Sequence, residues 1–270
     1  MSPTSDYPIT DFHTHAFPDA LAERAMATLL AETSEVTAYL DGRLASLLES
    51  MQRNGIYRSV VCSIATKPDQ FEKILAWSQF IASDRIVPFP SVHPRDPQCV
   101  ERIRQVAAAG MKGIKLHPYY QNCNLDDERL DPLYATCAEL GLVVVAHTGF
   151  DVAYPRIRRA DPVRIRNVLS RFPKLRFVAT HLGAWQDWDA VERLLIGKPI
   201  YIELSYSLHI LGLERARAML ARHPAEYVLF GSDSPWQDQG AAIEDVQALG
   251  LGAAWERAVF CDNAVRLLGL

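Results

Sequence analysis

Eight short apolar runs rich in β-branched residues, recurring about every 30 residues after the first, limit what this 270-residue chain can fold into. They are Pro8 to His15, Ser59 to Ile64, Ile86 to Val92, Gly113 to His117, Leu142 to His147, Leu175 to His181, Ile200 to Ser205 and Tyr227 to Ser232. Most are continuously apolar instead of alternating, which is how parallel strands buried on both faces read. Between them the period becomes helical. Leu44, Leu47, Leu48 and Met51 share a face that stops at Asn54-Gly55; Val100, Ile103, Val106 and Ala107 share one that stops before Gly110; Leu133, Cys137 and Leu140 share one that stops before Gly141. A last helix is predicted over Trp255 to Leu268, and a small helix or lid between Phe17 and about Ser34. Eight strands alternating with about eight helices predict a (β/α)8 barrel, a TIM barrel, with 1–270 as a single domain. An open doubly wound sheet is the competing architecture. It calls for a glycine-rich turn after the first strand, where this chain has Asp11-Phe12-His13-Thr14-His15.

With 49% hydrophobic and 22% charged residues, disorder and coiled coil are excluded. A formal charge of -4 gives no electrostatic case for nucleic acid or an anionic membrane, so a small-molecule substrate is the expected partner. Met1 to Asp11 lack a basic segment followed by an apolar one, and the longest apolar stretch, Leu142 to Ala146, is far short of the roughly 20 residues of a membrane span. A cytoplasmic location is expected. Five cysteines without a C-x-x-C pair argue against a disulfide framework. A homo-oligomer stays open, since no interface is legible.

The histidines fall at strand ends. His13 and His15 close the first run, His93 the third, His117 the fourth, His147 the fifth and His181 the sixth, while Asp233 follows the eighth. In a barrel these ends share one mouth, where active sites of this architecture sit. His13 and His15, two apart on a strand, share a face and can grip one ion. Taken singly, each histidine also reads as a hydrogen-bonded core residue, and Asp233 as a helix cap. Together, His13, His15, His147, His181 and Asp233 read as a metal site.

The chain resembles the amidohydrolase superfamily of metal-dependent barrels, in the branch often called amidohydrolase 2. The resemblance rests on Asp11-Phe12-His13-Thr14-His15, Gly113-Ile114-Lys115-Leu116-His117-Pro118, Ala146-His147-Thr148-Gly149, His181-Leu182-Gly183, Phe230-Gly231-Ser232-Asp233-Ser234-Pro235 and the closing Asp262-Asn263-Ala264-Val265-Arg266-Leu267-Leu268-Gly269-Leu270. It implies one or two divalent ions, zinc foremost, held by His13, His15, His147 and Asp233. It makes Asp233 the proton carrier, and His181 either a second-ion ligand or the group that polarises substrate. Lys115 stands where some members carry a carboxylated lysine bridging two ions; a lysine that orients a substrate carboxylate or pairs with Asp233 is the preferred reading. Asp11 is a candidate for orienting a ligand histidine. His117, His93, Tyr119, Trp185 and Trp236 are the substrate-pocket candidates, while Arg156, Arg158 and Arg159 read as a solvated loop face. The implied reaction is hydrolysis of a small ester, lactone or amide. The alternative is non-oxidative decarboxylation of a small carboxylated ring or muconate-like acid, which uses the same ligands. A nuclease of the TatD type and a non-catalytic binding barrel fit less well, the first because Lys115 stands where those enzymes place a glutamate.

Overall fold

The computed structural model describes residues 7–33 and 35–270. Residues 1–6, within the Met1 to Asp11 stretch read from the sequence, and Ser34 at the end of the expected lid lie outside the described residues. All eight runs form strands: β1 (Ile9–Thr14), β2 (Ile56–Cys62), β3 (Ile86–Phe89), β4 (Gly113–Leu116), β5 (Val143–Ala146), β6 (Arg176–Ala179), β7 (Tyr201–Glu203) and β8 (Val228–Leu229). They pair in parallel as β1-β2-β3 and β4-β5-β6-β7-β8. Backbone hydrogen bonds cross both seams. Lys115 N–H donates to Pro90 O at 2.9 Å, and Phe12 N–H donates to Phe230 O at 2.8 Å. Two further bonds at the mouth, Asp233 N–H to His13 O (2.8 Å) and His15 N–H to Ser234 O (2.6 Å), join the segment after β8 to β1.

The runs fail to alternate because both faces are buried. Ile114, Leu116, Val144, Ala146, Phe177 and Ala179 pack outward under the helices. Phe12, Val60, Phe89, Val143, Val145, Val178 and Leu229 fill the inside. This parity turns Lys115 and His147 into the barrel, since each follows an outward-facing neighbour on its strand.

The helical stop signals act as expected. Helix α1 (Asp19–Glu32) is the predicted lid, and α2 (Leu44–Arg53) ends at Asn54-Gly55. Gly141 caps Asp131–Leu140 in the left-handed conformation at φ +67°, where a side chain is strained. The closing helix departs from the single element expected. Ala253–Arg257 and Asn263–Leu268 flank a π-helical turn, Ala258–Asp262. That wide turn brings Val259, Phe260 and Cys261 into the core together, and Asn263 Nδ2 donates to Ala225 O and Val228 O, both at 2.7 Å.

Asp11 does not reach a histidine ring. Its buried carboxylate instead accepts from Ser232 N–H (2.9 Å), Ser232 Oγ (2.6 Å), Gln239 Nε2 (2.8 Å) and His13 N–H (3.2 Å), so it ties β1 to the segment after β8. Burial pushes this carboxyl up to about 6 in spite of those donors. Asp11→Ala strands several buried donors, and urea denaturation is expected to show a loss of about 3 kcal/mol. An unchanged midpoint would remove Asp11 from the closure. Among the described residues, no helix is long and apolar enough to cross a membrane.

Candidate functional site

His13, His15, His147, His181, Lys115 and Asp233 meet at the carboxyl ends of the strands, under a cavity of about 750 Å³ that all six line. His13 Nε2 and His15 Nε2 stand 3.4 and 3.2 Å from Asp233 Oδ1. His147 Nδ1 and His181 Nε2 face each other at 3.1 Å. His181 and Asp233 occupy left-handed backbone at φ 58° and 59°, sparsely populated for residues other than glycine.

The hydrogen-bond partners on the far side of each ring fix which nitrogen keeps its lone pair. His15 Nδ1 lies 2.8 Å from Cys62 O, His147 Nε2 lies 2.9 Å from Phe150 O and His181 Nδ1 lies 3.1 Å from Ser205 O. A carbonyl can only accept, so each of those nitrogens carries the hydrogen and the opposite nitrogen is left as an acceptor. Lys115 Nζ donates to His13 Nε2 at 2.7 Å, which places the His13 hydrogen on Nδ1, toward Glu203 Oε2 at 3.0 Å. Four imidazole lone pairs and one carboxylate therefore belong to one cavity, with ligand atoms of His13, His15 and Asp233 within 4.8 Å of one another. His147 Nδ1 and His181 Nε2 are two acceptors in contact, an arrangement that a cation between or beside them resolves. The donor set fits a divalent ion.

Electrostatics agree. Burial, with Lys115 close by, pushes His147 down to about 4 and holds His13 well below the ordinary histidine range; His181 is lowered by burial and then by His147. Neutral imidazoles are the form that binds metal. Burial also lowers the fully enclosed Lys115.

Besides His13, His15 and Asp233, two groups have ligand atoms within 4.8 Å of one another: His13, His181 and Glu203, and His117, His147 and Asp151. Both would use ring nitrogens already carrying hydrogens for Glu203, Ser205 O or Phe150 O, so neither is a second centre of the same quality.

Glu203 and Ser205, at the end of β7, were not singled out by the sequence reading. Glu203 is fully buried; its carboxylate accepts from Ser205 Oγ at 2.8 Å and from Ser205 N–H, and it holds His13 Nδ1. Burial pushes it up to about 8. Gly231 makes room for it, because a Cβ there would lie 2.1 Å from Glu203 Oε1. Glu203 thus does for His13 what was expected of Asp11.

The pocket candidates divide. His117, Trp185 and Trp236 line the cavity, joined by Tyr120, Phe150, Asp151, Tyr154 and Tyr206. His93 and Tyr119 are not among its lining residues. The chain turns after β3 so that His93 Nδ1 accepts from Arg95 N–H at 3.1 Å, burying the ring. Tyr119 is drawn beneath the loops, its hydroxyl set between Gly149 O (2.8 Å) and Ile157 O (2.6 Å). Arg156 packs over the Phe150 ring at 4.0 Å and Arg158 pairs with Asp187 at 3.0 Å, both on the exposed loop face. Asp233 caps no helix; Asp238 does, accepting from Ala241 N–H at 2.9 Å.

The sequence profile of a family described as amidohydrolase matches residues 5–270. No curated protein matches. Among solved structures, the chain is similar to an uncharacterised TIM-barrel protein from Bordetella bronchiseptica, with a TM-score of 0.75 and 22% identity over 97% of this chain and 98% of that one. It is also similar to 2,6-dihydroxybenzoate decarboxylase from Rhizobium, with a TM-score of 0.70 and 16% identity over 97% and 99% of the two chains. A third is 5-carboxyvanillate decarboxylase from Novosphingobium aromaticivorans complexed with manganese and a nitrobenzoic acid, with a TM-score of 0.72 and 13% identity over 98% and 97%. At these identities the likeness carries the fold.

Proposed function

The chain belongs to the amidohydrolase family and is an enzyme of it; from that premise we propose that it removes the carboxyl group of a small ring acid as CO2, with a divalent ion held by His13, His15, His147 and Asp233. The observation that carries the metal is the convergence of imidazole lone pairs, above all His147 Nδ1 against His181 Nε2 at 3.1 Å. Decarboxylation is preferred to the hydrolysis put first from sequence because structural neighbours of known activity act on carboxylated phenolic rings. The aromatic wall of Tyr120, Phe150, Tyr154 and Trp185 suits a planar ring.

When bound, a divalent ion would supply Lewis-acid attraction for a carboxylate or ring oxygen. Three imidazoles and a carboxylate accept zinc, the ion expected from the sequence, as well as the manganese that one neighbour carries. His181 Nε2, an acceptor, either completes the ligand set or takes a hydrogen bond from substrate. In the reaction the bond from the ring to the carboxyl carbon breaks, its electron pair stays on the ring carbon, and a proton replaces CO2 there. Asp233, whose side chain is 13% exposed, can refill from solvent and is assigned that proton. Lys115, buried against His13 Nε2, offers an N–H to an anionic group at the same point.

Carboxylated phenols incubated with the protein and Mn2+ or Zn2+ in H2(18)O are expected to release CO2, leaving a ring product with no solvent oxygen. An (18)O label in the product would restore hydrolysis.

A further inference from the structure

The cavity over the metal site is larger than a single ring requires. A single-ring acid has about ten heavy atoms and, even at the roughly 30 Å³ that one water molecule claims in the liquid, each atom counted so, fills at most about 300 Å³. The cavity holds about 750 Å³. The rest of its lining comes from Ile64, just past β2, and from two helices, α1 and α3 (Phe71–Ile81). On α1, Leu21, Ala25 and Leu29 recur at i, i+4 and i+8 and share one face; on α3, Ile74 and Trp77 share another. All five line the cavity and none is buried: Leu21 is exposed and the others are half-buried. Helix α1 is meanwhile held by its other face and its end. Its buried residues are Ala22 and Met26, and Gly42 leaves room for Met26, since a Cβ there would lie 2.8 Å from Met26 Cγ. Tyr120 Oη donates to Glu32 Oε2 at 2.7 Å, tying the last turn of α1 to the loop after β4. Apolar stripes left open to water on the walls of a cavity that leads to a reaction centre are surface that a ligand covers. Arg24 and Lys73, exposed on the same two helices, line the cavity and form no ion pair among the described residues, so the ligand they suit is an anion.

We infer that α1 and α3 form a subsite for an apolar chain carried by the acid whose carboxyl group sits at the metal site. The substrate is then an alkyl-extended ring acid; this assignment rests on the proposed reading for the ring and its carboxyl group, while the subsite itself concerns the chain. Continuity makes the substrate's own chain the occupant. One cavity is lined by Ile74 and Trp77 and by His13 and His15, so a chain lying along α3 and a head group at the histidines belong to one molecule. A ring with only small substituents leaves Leu21, Leu29 and Trp77 in water. An alkyl chain removes them from it, at a gain of up to about fourfold in affinity per methylene. Ala25, the smallest side chain of its stripe, sets the width, so a larger residue there fills the arm from the lid side and a larger residue at Ile74 fills it from the opposite wall.

The test is calorimetric binding, to Mn2+-loaded protein of measured metal content, of benzoate and of benzoates bearing a methyl, butyl or hexyl chain at position 3 or 4. In at least one series the butyl compound is expected to bind about eightfold more tightly than the methyl one, because each half-covered methylene adds about twofold. Ala25→Phe and Ile74→Trp are each expected to cut that gain to about twofold with benzoate affinity unchanged. Affinities that do not rise with chain length in either series, or a gain that survives in both variants, overturn the subsite. If no benzoate binds, the ring reading fails instead, and butanoate, hexanoate and octanoate decide the subsite in the same three proteins; no binding by these overturns it as well. Protein that takes up no ion defeats the metal reading, and the same series on metal-free protein then decides the subsite alone. Thermal melts separate a filled arm from a lost fold, and where one variant does not fold the one on the opposite wall decides.

Discussion

Asp233→Asn lowers turnover by about 10³-fold while the chain stays folded and keeps its ion. The substitution is nearly isosteric and suits the backbone, since residue 233 sits at φ 59° and asparagine enters that region as readily as aspartate. The main-chain bonds that set the turn do not involve the side chain: Asp233 N–H donates to His13 O at 2.8 Å and Trp236 N–H donates to Asp233 O at 2.9 Å. An amide oxygen can still face His13 Nε2 and His15 Nε2, but an amide cannot carry a proton at neutral pH. Turnover, ion content per chain and the melting temperature should therefore separate. Unchanged turnover would remove Asp233 from proton carriage, and loss of the ion along with activity would make it a ligand only.

The strand ends are legible in the sequence because burial on both faces leaves continuous apolar runs, and a polar residue at the end of such a run stands out. His13, Lys115, His147 and His181 are visible for that reason, and strand parity turns Lys115 and His147 inward. What lies beyond the run is not legible. His93-Pro94 and His117-Pro118 have the same local pattern after β3 and β4, yet one ring is drawn onto Arg95 N–H and the other onto the cavity wall. The difference lies in the turn after each strand, where backbone bonds and not periodicity decide. Asp151 is hidden for the same reason, as one acid in a polar loop. Glu203 is hidden more deeply. It ends an apolar run like any strand-edge glutamate, and the partner that gives it meaning, His13, is 190 residues away. Asp11, two residues from His13, looks the better orienting group in sequence, but the register of β1 shifts between Asp11 and Thr14, and the Asp11 carboxylate is taken by Ser232 and Gln239. Gly231 is the one local clue: a small residue whose absent side chain leaves space for something buried opposite.

Glu203→Gln weakens divalent-ion affinity by about 10- to 100-fold with little change in melting temperature. In the native chain Oε1 accepts from Ser205 N–H, while Oε2 accepts from Ser205 Oγ and stands 3.0 Å from His13 Nδ1. A glutamine must place its NH2 in one of these positions. Facing Ser205 N–H it meets a donor; facing His13 it removes the acceptor that keeps the ring hydrogen on Nδ1 and leaves Nε2 free. Either way the lone pair aimed at the ion loses its support. Stability runs the other way, because a buried carboxylate costs free energy to desolvate, the same burial that pushes Glu203 up to about 8, and a neutral amide avoids that cost. A structural defect lowers the melting temperature and ion affinity together, whereas loss of an orienting group lowers affinity alone. Gly231→Ala supplies the independent arm. Its Cβ would lie 2.1 Å from Glu203 Oε1 and 2.6 Å from Cδ, forcing the carboxylate away without altering its chemistry, and it should weaken the ion as well. Equal affinities for Mn2+ or Zn2+ in wild type and Glu203→Gln, measured by titration of metal-free protein, would leave His13 oriented by its strand and by Lys115 alone.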